Sequence, residues 1–188
     1  MRIIAGTAKG RRLKTLHGAD KRPTTDRVKE SIFAVLGEHI LEADVMDLFA
    51  GTGNLGIEAL SRGARAALFL DSDAQAVRTI KENLRLTQLE DRAEMWRCDA
   101  VAALQRLRTE RRSFDLVFAD PPYGRGYGER TLRCLDRSTI LREEGVFVLE
   151  HSTNEEVAVS CAHMKMVSEK RFGQTAVHFF QRTSQSKE

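Results

Sequence analysis

Asp120-Pro121-Pro122-Tyr123 follows directly on the apolar run Phe114-Asp115-Leu116-Val117-Phe118-Ala119 and takes two of the three prolines in the 188-residue chain. The run reads as a buried strand. A proline pair cannot continue a ladder, because neither residue has an N–H to donate. The strand therefore stops at Asp120, and the chain leaves it in a stiff, extended loop. That loop gathers a carboxylate, proline carbonyls and an aromatic face at the carboxyl end of a strand. Such a set suits an exocyclic amine on a flat base: two acceptors take its N–H groups and a ring stacks on the base. A strand-ending turn with a half-buried tyrosine is the plainer reading. It would suffice for Asp-Pro alone, but not for the whole tetrad after a buried strand.

A second cluster precedes it. Val45-Met46-Asp47-Leu48-Phe49-Ala50-Gly51-Thr52-Gly53-Asn54-Leu55-Gly56 reads as strand, glycine turn and helix. Gly51 and Gly53 let the backbone turn tightly and approach a ligand, and the helix that follows offers unpaired N–H groups. The text contains the dinucleotide fingerprint G-x-G-x-x-G, so nicotinamide binding is a competing reading. Two features argue against it. Asp47 stands before the glycines, where an acid attracts a cation, such as a sulfonium carrying an α-amino group, rather than a pyrophosphate. A nicotinamide enzyme also has no use for Asp-Pro-Pro-Tyr. Further along, Asp71-Ser72-Asp73 follows the next apolar run, where Asp71 can take both hydroxyls of a ribose and Asp73 suits a helix cap. Asp99, beside Ala100, either accepts from an adenine amine or caps a helix.

Alternating elements must position these groups. Strands are predicted near 44–49, 66–71, 92–97, 114–119 and 144–150, with helices near 55–62, 73–87, 100–109 and 128–137. This alternation implies βαβ units and a mainly parallel α/β sheet, with acids at successive strand tips lining one crevice. Met164–Arg171 and Thr175–Gln181, joined through Gly173, read as a terminal antiparallel hairpin. Ahead of the sheet, Thr24 or Thr25 is an N-cap for a helix carrying Val28, Ile32, Val35 and Leu36 on one stripe. The Thr-Thr-Asp-Arg cluster at that helix start would also serve as a lid over a charged small molecule.

The net charge of +3 is unevenly placed. Residues 1–22 carry seven of the 30 basic side chains against one of the 27 acids, which leaves the remainder at −3. Arg2, Lys9, Arg11, Arg12, Lys14 and Arg22 belong to this arm, and Arg27 follows it. Such a layout fits a polyanion, although a solvated tail is the commoner outcome for a charge run. The arm reads as a short hairpin with a glycine turn, so the division expected is a basic arm over 1–22 and a body over 23–188. Three scattered cysteines, with no C-x-x-C pair, argue against a structural zinc or a disulfide framework. No apolar run approaches the ~18 residues of a membrane span. A cytoplasmic monomer is expected.

Taken in order, Asp47-x-Phe49-x-Gly51-x-Gly53, Asp71, Asp99 and Asp120-Pro121-Pro122-Tyr123 resemble the class I S-adenosylmethionine-dependent methyltransferases that act on amino nitrogens. Arg22-Pro23-Thr24-Thr25-Asp26-Arg27-Val28-Lys29-Glu30 narrows the resemblance to the RsmD family. So do Arg2-Ile3-Ile4-Ala5-Gly6 with Gly10-Arg11, and the run from Phe49 to Gly63. The resemblance covers nearly the whole chain. It implies a Rossmann-like, seven-stranded, mostly parallel sheet with a reversed last strand. It also implies S-adenosylmethionine as methyl donor, without a metal, and N2 of a guanine in small-subunit (16S) ribosomal RNA as acceptor. The partner would be that RNA, the small subunit or an assembly intermediate. On this reading Asp120, Pro121, Pro122 and Tyr123 act on the base. Asp47, Ala50, Gly51, Gly53, Asp71, Ser72, Asp99, Ala100 and Thr25 hold the cofactor, and the arm's cations with Arg27 hold RNA. The same tetrad serves adenine-N6 and cytosine-N4 methylation of DNA, and related enzymes act on a glutamine amide. A DNA enzyme of this kind would need a recognition domain for which 188 residues leave no room, and the glutamine enzymes carry Asn before the prolines.

Overall fold

The computed structural model describes residues 1–16, 25–157 and 160–184. Arg22 and Thr24, named above, lie outside the described residues. Helix α1 (Asp26–Leu36) starts where Thr25 Oγ1 accepts a hydrogen bond from Val28 N and stops at Gly37, whose N–H returns to the Phe33 carbonyl. Its buried stripe is Val28, Ile32, Phe33 and Leu36, with Lys29. Strand β1 (Asp44–Leu48) leads through the glycine turn to α2 (Asn54–Ser61), then β2 (Ala66–Asp71), α3 (Ala74–Thr87) and β3 (Ala93–Arg97). After these come α4 (Ala100–Thr109), β4 (Phe114–Ala119), α5 (Tyr127–Asp136), β5 (Leu141–Ser152), β6 (Met164–Phe172) and β7 (Thr175–Arg182).

One seven-stranded sheet runs in the order β3-β2-β1-β4-β5-β7-β6. The pairs among the first five strands are parallel, and β7 is antiparallel to both β5 and β6. This is a Rossmann-like, mostly parallel sheet with a reversed last strand, as the resemblance implies. The hairpin expected at the end is present, with its second strand folded inward and its first left at the edge. Alternating side chains divide the core. Val45, Phe69, Phe118, Val148 and Phe179 face one way, against α1, α2 and α3. Met46, Leu68, Val117, Phe147 and Phe180 face the other way, against α4 and α5. Because β2 and β4 lie on opposite sides of β1, the chain reverses its direction of travel there. A crevice opens at such a point beyond the strand ends.

The boundaries agree with the sequence reading except at β5, which begins at Leu141. Pairing passes from Phe114↔Leu141 to Leu116↔Val146, so Arg142–Gly145 is looped out of register, with Glu144 at φ +60°. This charged bulge hides the start of the strand from a hydrophobicity pattern.

The first sixteen residues join the body's core. Ile3, Ala8 and Leu13 are buried with α1 and α2. An antiparallel bridge pairs Arg2 with Arg12, and Gly10 N donates to the Ile3 carbonyl at 2.8 Å. Gly6 (φ +82°) passes so close to the end of α2 that an added Cβ would lie 1.8 Å from the Ser61 carbonyl oxygen. Beneath this layer, fully buried Lys29 Nζ reaches Glu58 Oε2 (3.0 Å), Asn54 Oδ1 (2.7 Å) and the Arg2 carbonyl (2.5 Å). Glu58 in turn accepts from the Ile4 and Ala5 N–H groups at 2.8 and 3.0 Å and from Arg62 Nε at 2.8 Å.

Candidate active site

The glycine turn after β1 is held by the tip of the next strand, β2. Phe49 (φ +67°), Gly51 (+57°) and Gly53 (+77°) all take left-handed backbone conformations, and Gly53 caps α2. Ala50 N donates to the Leu70 carbonyl at 2.9 Å, and Gly51 N donates to Asp71 Oδ2 at 2.8 Å. The acid at the tip of β2 therefore fixes the loop from β1. Its other oxygen accepts from Asp73 N at 2.9 Å, which sets the start of α3, and Asp73 Oδ1 caps that helix through Gln75 N. Asp99 is the N-cap of α4, taking Val101 N at 2.8 Å and Ala102 N at 3.3 Å on Oδ1. These are local jobs, and they leave lone pairs facing outward.

A small cavity of about 120 Å³ gathers Asp71, Ser72, Asp99, Ala100 and Pro122 with Phe49, Arg125 and Tyr127. The tips of β1, β2 and β3 thus meet the proline loop after β4 in one place. Sequence reading missed Tyr127 and Arg125 and left Phe49 without a role. The Phe49 and Tyr127 rings lie 5.5 Å apart at 58°, giving the cavity two aromatic walls. The available signal was the pair Gly124 and Gly126 flanking Arg125, both at positive φ, which turns the chain so that α5 starts at Tyr127.

Asp47 sits deeper, 3% exposed, with Oδ2 accepting from Gly56 N at 2.8 Å. Burial, with the charges of Asp120 and Asp71 beside it, pushes its carboxyl up to about 8. Gly56 is required there, because an added Cβ would lie 2.4 Å from the Phe69 ring. Asp120 is half-buried just past the end of β4, and Pro121 is buried. Tyr123 is 45% exposed, with its hydroxyl near the Thr175 side chain. Burial, then the Asp120, Glu150 and Glu155 carboxylates, push that hydroxyl far above its usual range, so the ring stays neutral. Gly124 N donates to the Glu155 carboxylate and anchors the loop beyond the tyrosine.

Thr25 caps α1 and is not among the residues that line the cavity around Asp71 and Asp99. Of the arm's cations, Arg2 pairs with Asp26 (3.2 Å), Lys14 pairs with Glu82 (2.8 Å), and Arg11 donates to the Leu86 carbonyl and Gln88 Oε1. The side chains of Lys9, Arg12 and Arg27 make no hydrogen bond or ion pair with other described residues. Among the described residues, no three His, Cys, Asp or Glu side chains are grouped to hold a metal ion, and no helix is long and apolar enough to cross a membrane.

Residues 1–181 match the family model described as conserved hypothetical protein 95. A Bacillus subtilis protein named putative rRNA methyltransferase YlbH is 39% identical over 182 residues, covering 97% of this chain and 99% of that one. Ribosomal RNA small subunit methyltransferase D of Escherichia coli is 34% identical over 185 residues, covering 98% and 91%. Among solved structures, the putative methyltransferase yhhF from Escherichia coli aligns with a TM-score of 0.87 at 34% identity, over 98% of this chain and 99% of that one.

Proposed function

The chain belongs to the RsmD family of ribosomal RNA methyltransferases, and from that premise we propose that it methylates the exocyclic N2 of a guanine in small-subunit (16S) ribosomal RNA, with S-adenosylmethionine as donor. The observation that carries the proposal is the meeting of three strand tips around one cavity with Pro122 of the Asp-Pro-Pro-Tyr loop in its wall. The residues fit the donor. Phe49 and Tyr127 offer faces for a flat ring, Asp99 and the Ala100 backbone flank its edge, and Asp71 presents a carboxylate to ribose hydroxyls. Asp47, Ala50, Gly51, Gly53 and Thr25 would hold the amino-acid end. When bound, the donor supplies an electrophilic methyl group on a sulfonium sulfur.

The chain's own residues prepare the acceptor. A guanine amine is a poor nucleophile because its lone pair is conjugated with the ring. The Asp120 carboxylate and the Pro121 carbonyl accept its two N–H bonds, orient the lone pair and stabilise positive charge growing on nitrogen. Tyr123 stacks on the base and fixes its plane, a contact worth ~1–3 kcal/mol. The base must leave its stack to reach these groups.

The test is methyl transfer from labelled S-adenosylmethionine to small subunits and to RNA from cells lacking the gene, followed by digestion to nucleosides. N2-methylguanosine is expected, and Asp120→Ala is expected to cut its rate by roughly a hundredfold or more. A different methylated nucleoside, or a rate indifferent to Asp120, would refute the assignment.

A further inference from the structure

The outward face of α3 carries cations that the proposed reaction does not use. Between Ala74 and Thr87 the basic side chains are Arg78, Lys81 and Arg85, and the one acid is Glu82. Positions 78, 81, 82 and 85 fall at i, i+3, i+4 and i+7, so they share one stripe, and all four are exposed. The side chains of Arg78, Lys81 and Arg85 make no hydrogen bond or ion pair with other described residues. Glu82 is neutralised from outside the helix: Lys14 Nζ of the arm lies 2.8 Å from its carboxylate. Lys14 above all, then Arg85 and Arg78, hold that carboxyl below its usual range. Helices on the other side of the sheet treat their charges differently. Arg106 pairs with Glu110 on α4, and Arg133 pairs with Glu129 on α5, each pair four residues apart. A helix face that meets only water is typically laced with such internal pairs. On α3 the arm cancels the one acid and leaves three cations without a described counter-ion.

This face is continuous with the arm at one end and with the crevice at the other. Asn83 is fully buried; its Oδ1 accepts from Lys14 N at 2.7 Å, and its Nδ2 donates to the Lys14 carbonyl at 3.1 Å and to the Thr52 carbonyl of the glycine turn at 2.9 Å. Arg11 reaches the Leu86 carbonyl and Gln88 at the far end of the helix. At the near end Asp73 caps α3, and Asp71 and Ser72 just before it line the cavity proposed for the cofactor. Arm, helix and glycine turn therefore form one fixed surface. From Arg78 to Arg85 is about 10 Å along the helix axis, roughly three nucleotides of one strand. Resting on the reading of RNA as the substrate, we propose that the arm and α3 form a single phosphate-binding track, in which Arg78, Lys81 and Arg85 hold the backbone of the strand that leads from the arm to the crevice. Contacts of this kind position the RNA without reading its sequence.

The experiment follows binding of the full-length protein to fluorescent 16S ribosomal RNA by anisotropy across a salt series, with S-adenosylhomocysteine present. Arg78→Ala, Lys81→Ala and Arg85→Ala should each lower the slope of log affinity against log salt by about one, and the triple variant should bind about tenfold more weakly or worse. Glu82→Gln frees Lys14 and should steepen the slope by about one, a gain that a solvated face would not show. The backbone bonds from Lys14 to Asn83 still hold the arm in that variant. Affinity for S-adenosylhomocysteine and melting temperature should stay close to the wild type in every variant. Lys170→Ala, at an exposed position on β6, should leave the slope alone. Wild-type slopes in the α3 variants, or an equal loss in Lys170→Ala, would overturn the proposal. So would weaker binding to assembled small subunits with unchanged binding to protein-free RNA, which would assign this face to a protein partner. No methyl transfer to any RNA would sink the proposed activity, while the salt series would still read this surface.

Discussion

Asp47 carries a carboxyl at a place with no water to share its charge. Its pKa of about 8 in the folded chain stands against an ordinary value near 3.9 in the unfolded one. Between those values the folded state holds a proton that the unfolded state has lost, so its contribution to stability falls as pH rises from about 4 to 8. Asp47→Asn keeps an oxygen for the Gly56 N–H and removes the titration. The cofactor-free variant should therefore melt higher than the wild type, by a margin that widens between pH 5 and pH 8.5. A margin independent of pH would show that Asp47 does not titrate in this range. Under the proposed role the same change should weaken S-adenosylmethionine binding about tenfold or more, because the ligand's ammonium loses its counter-charge. Calorimetry near pH 7 should also register proton release on binding to the wild type and none to the variant. Thr25, Asp73 and Asp99 teach a different lesson at this scale. All three cap helices, and a cap is specified by a few adjacent residues, so the order of side chains along the chain is enough to reveal it.

The clasp between the arm, α1 and α2 could not be read that way. Lys29 and Glu58 look like solvent-facing charges on amphipathic helices, and only the arm laid across them makes them interior. Lys29→Met leaves Glu58 buried with Arg62 as its remaining charged partner and removes the bond to Asn54, the first residue after the glycine turn. A loss of about 3–5 kcal/mol is expected, seen as a melting temperature lowered by roughly 10 °C. A melt within a degree or two of the wild type would mean that the buried pair is energetically idle. The strands and helices around the crevice were legible because their periods and punctuation are strong. Tyr127 was not, since its place beside Phe49 depends on two glycines turning the chain, and periodicity carries no signal for that. The start of β5 was concealed for the related reason that a bulge breaks the apolar run.

Across the whole molecule, the basic arm divides into cations engaged by the body and cations facing outward. Arg2, Arg11 and Lys14 hold the arm down, whereas Lys9 and Arg12 project from it. If the arm meets RNA phosphates, Lys9→Ala and Arg12→Ala should each reduce the slope of log affinity against log salt by about one, with no change in melting temperature. Arg11→Ala should lower the melting temperature as well. Unchanged slopes in Lys9→Ala and Arg12→Ala would remove the arm from the interface. The strand order has a consequence during synthesis. In the row β5-β7-β6, the middle strand is the last to leave the ribosome. Until Thr175–Arg182 emerges, β5 has an open edge and β6 has no neighbour to pair with, so a chain halted near Gly173 carries the whole crevice and still cannot close its sheet. Premature termination there should yield an adhesive product for degradation instead of a slightly shortened enzyme, because an unpaired apolar edge recruits other strands. Quality control of this protein thus falls on the segment Thr175–Arg182.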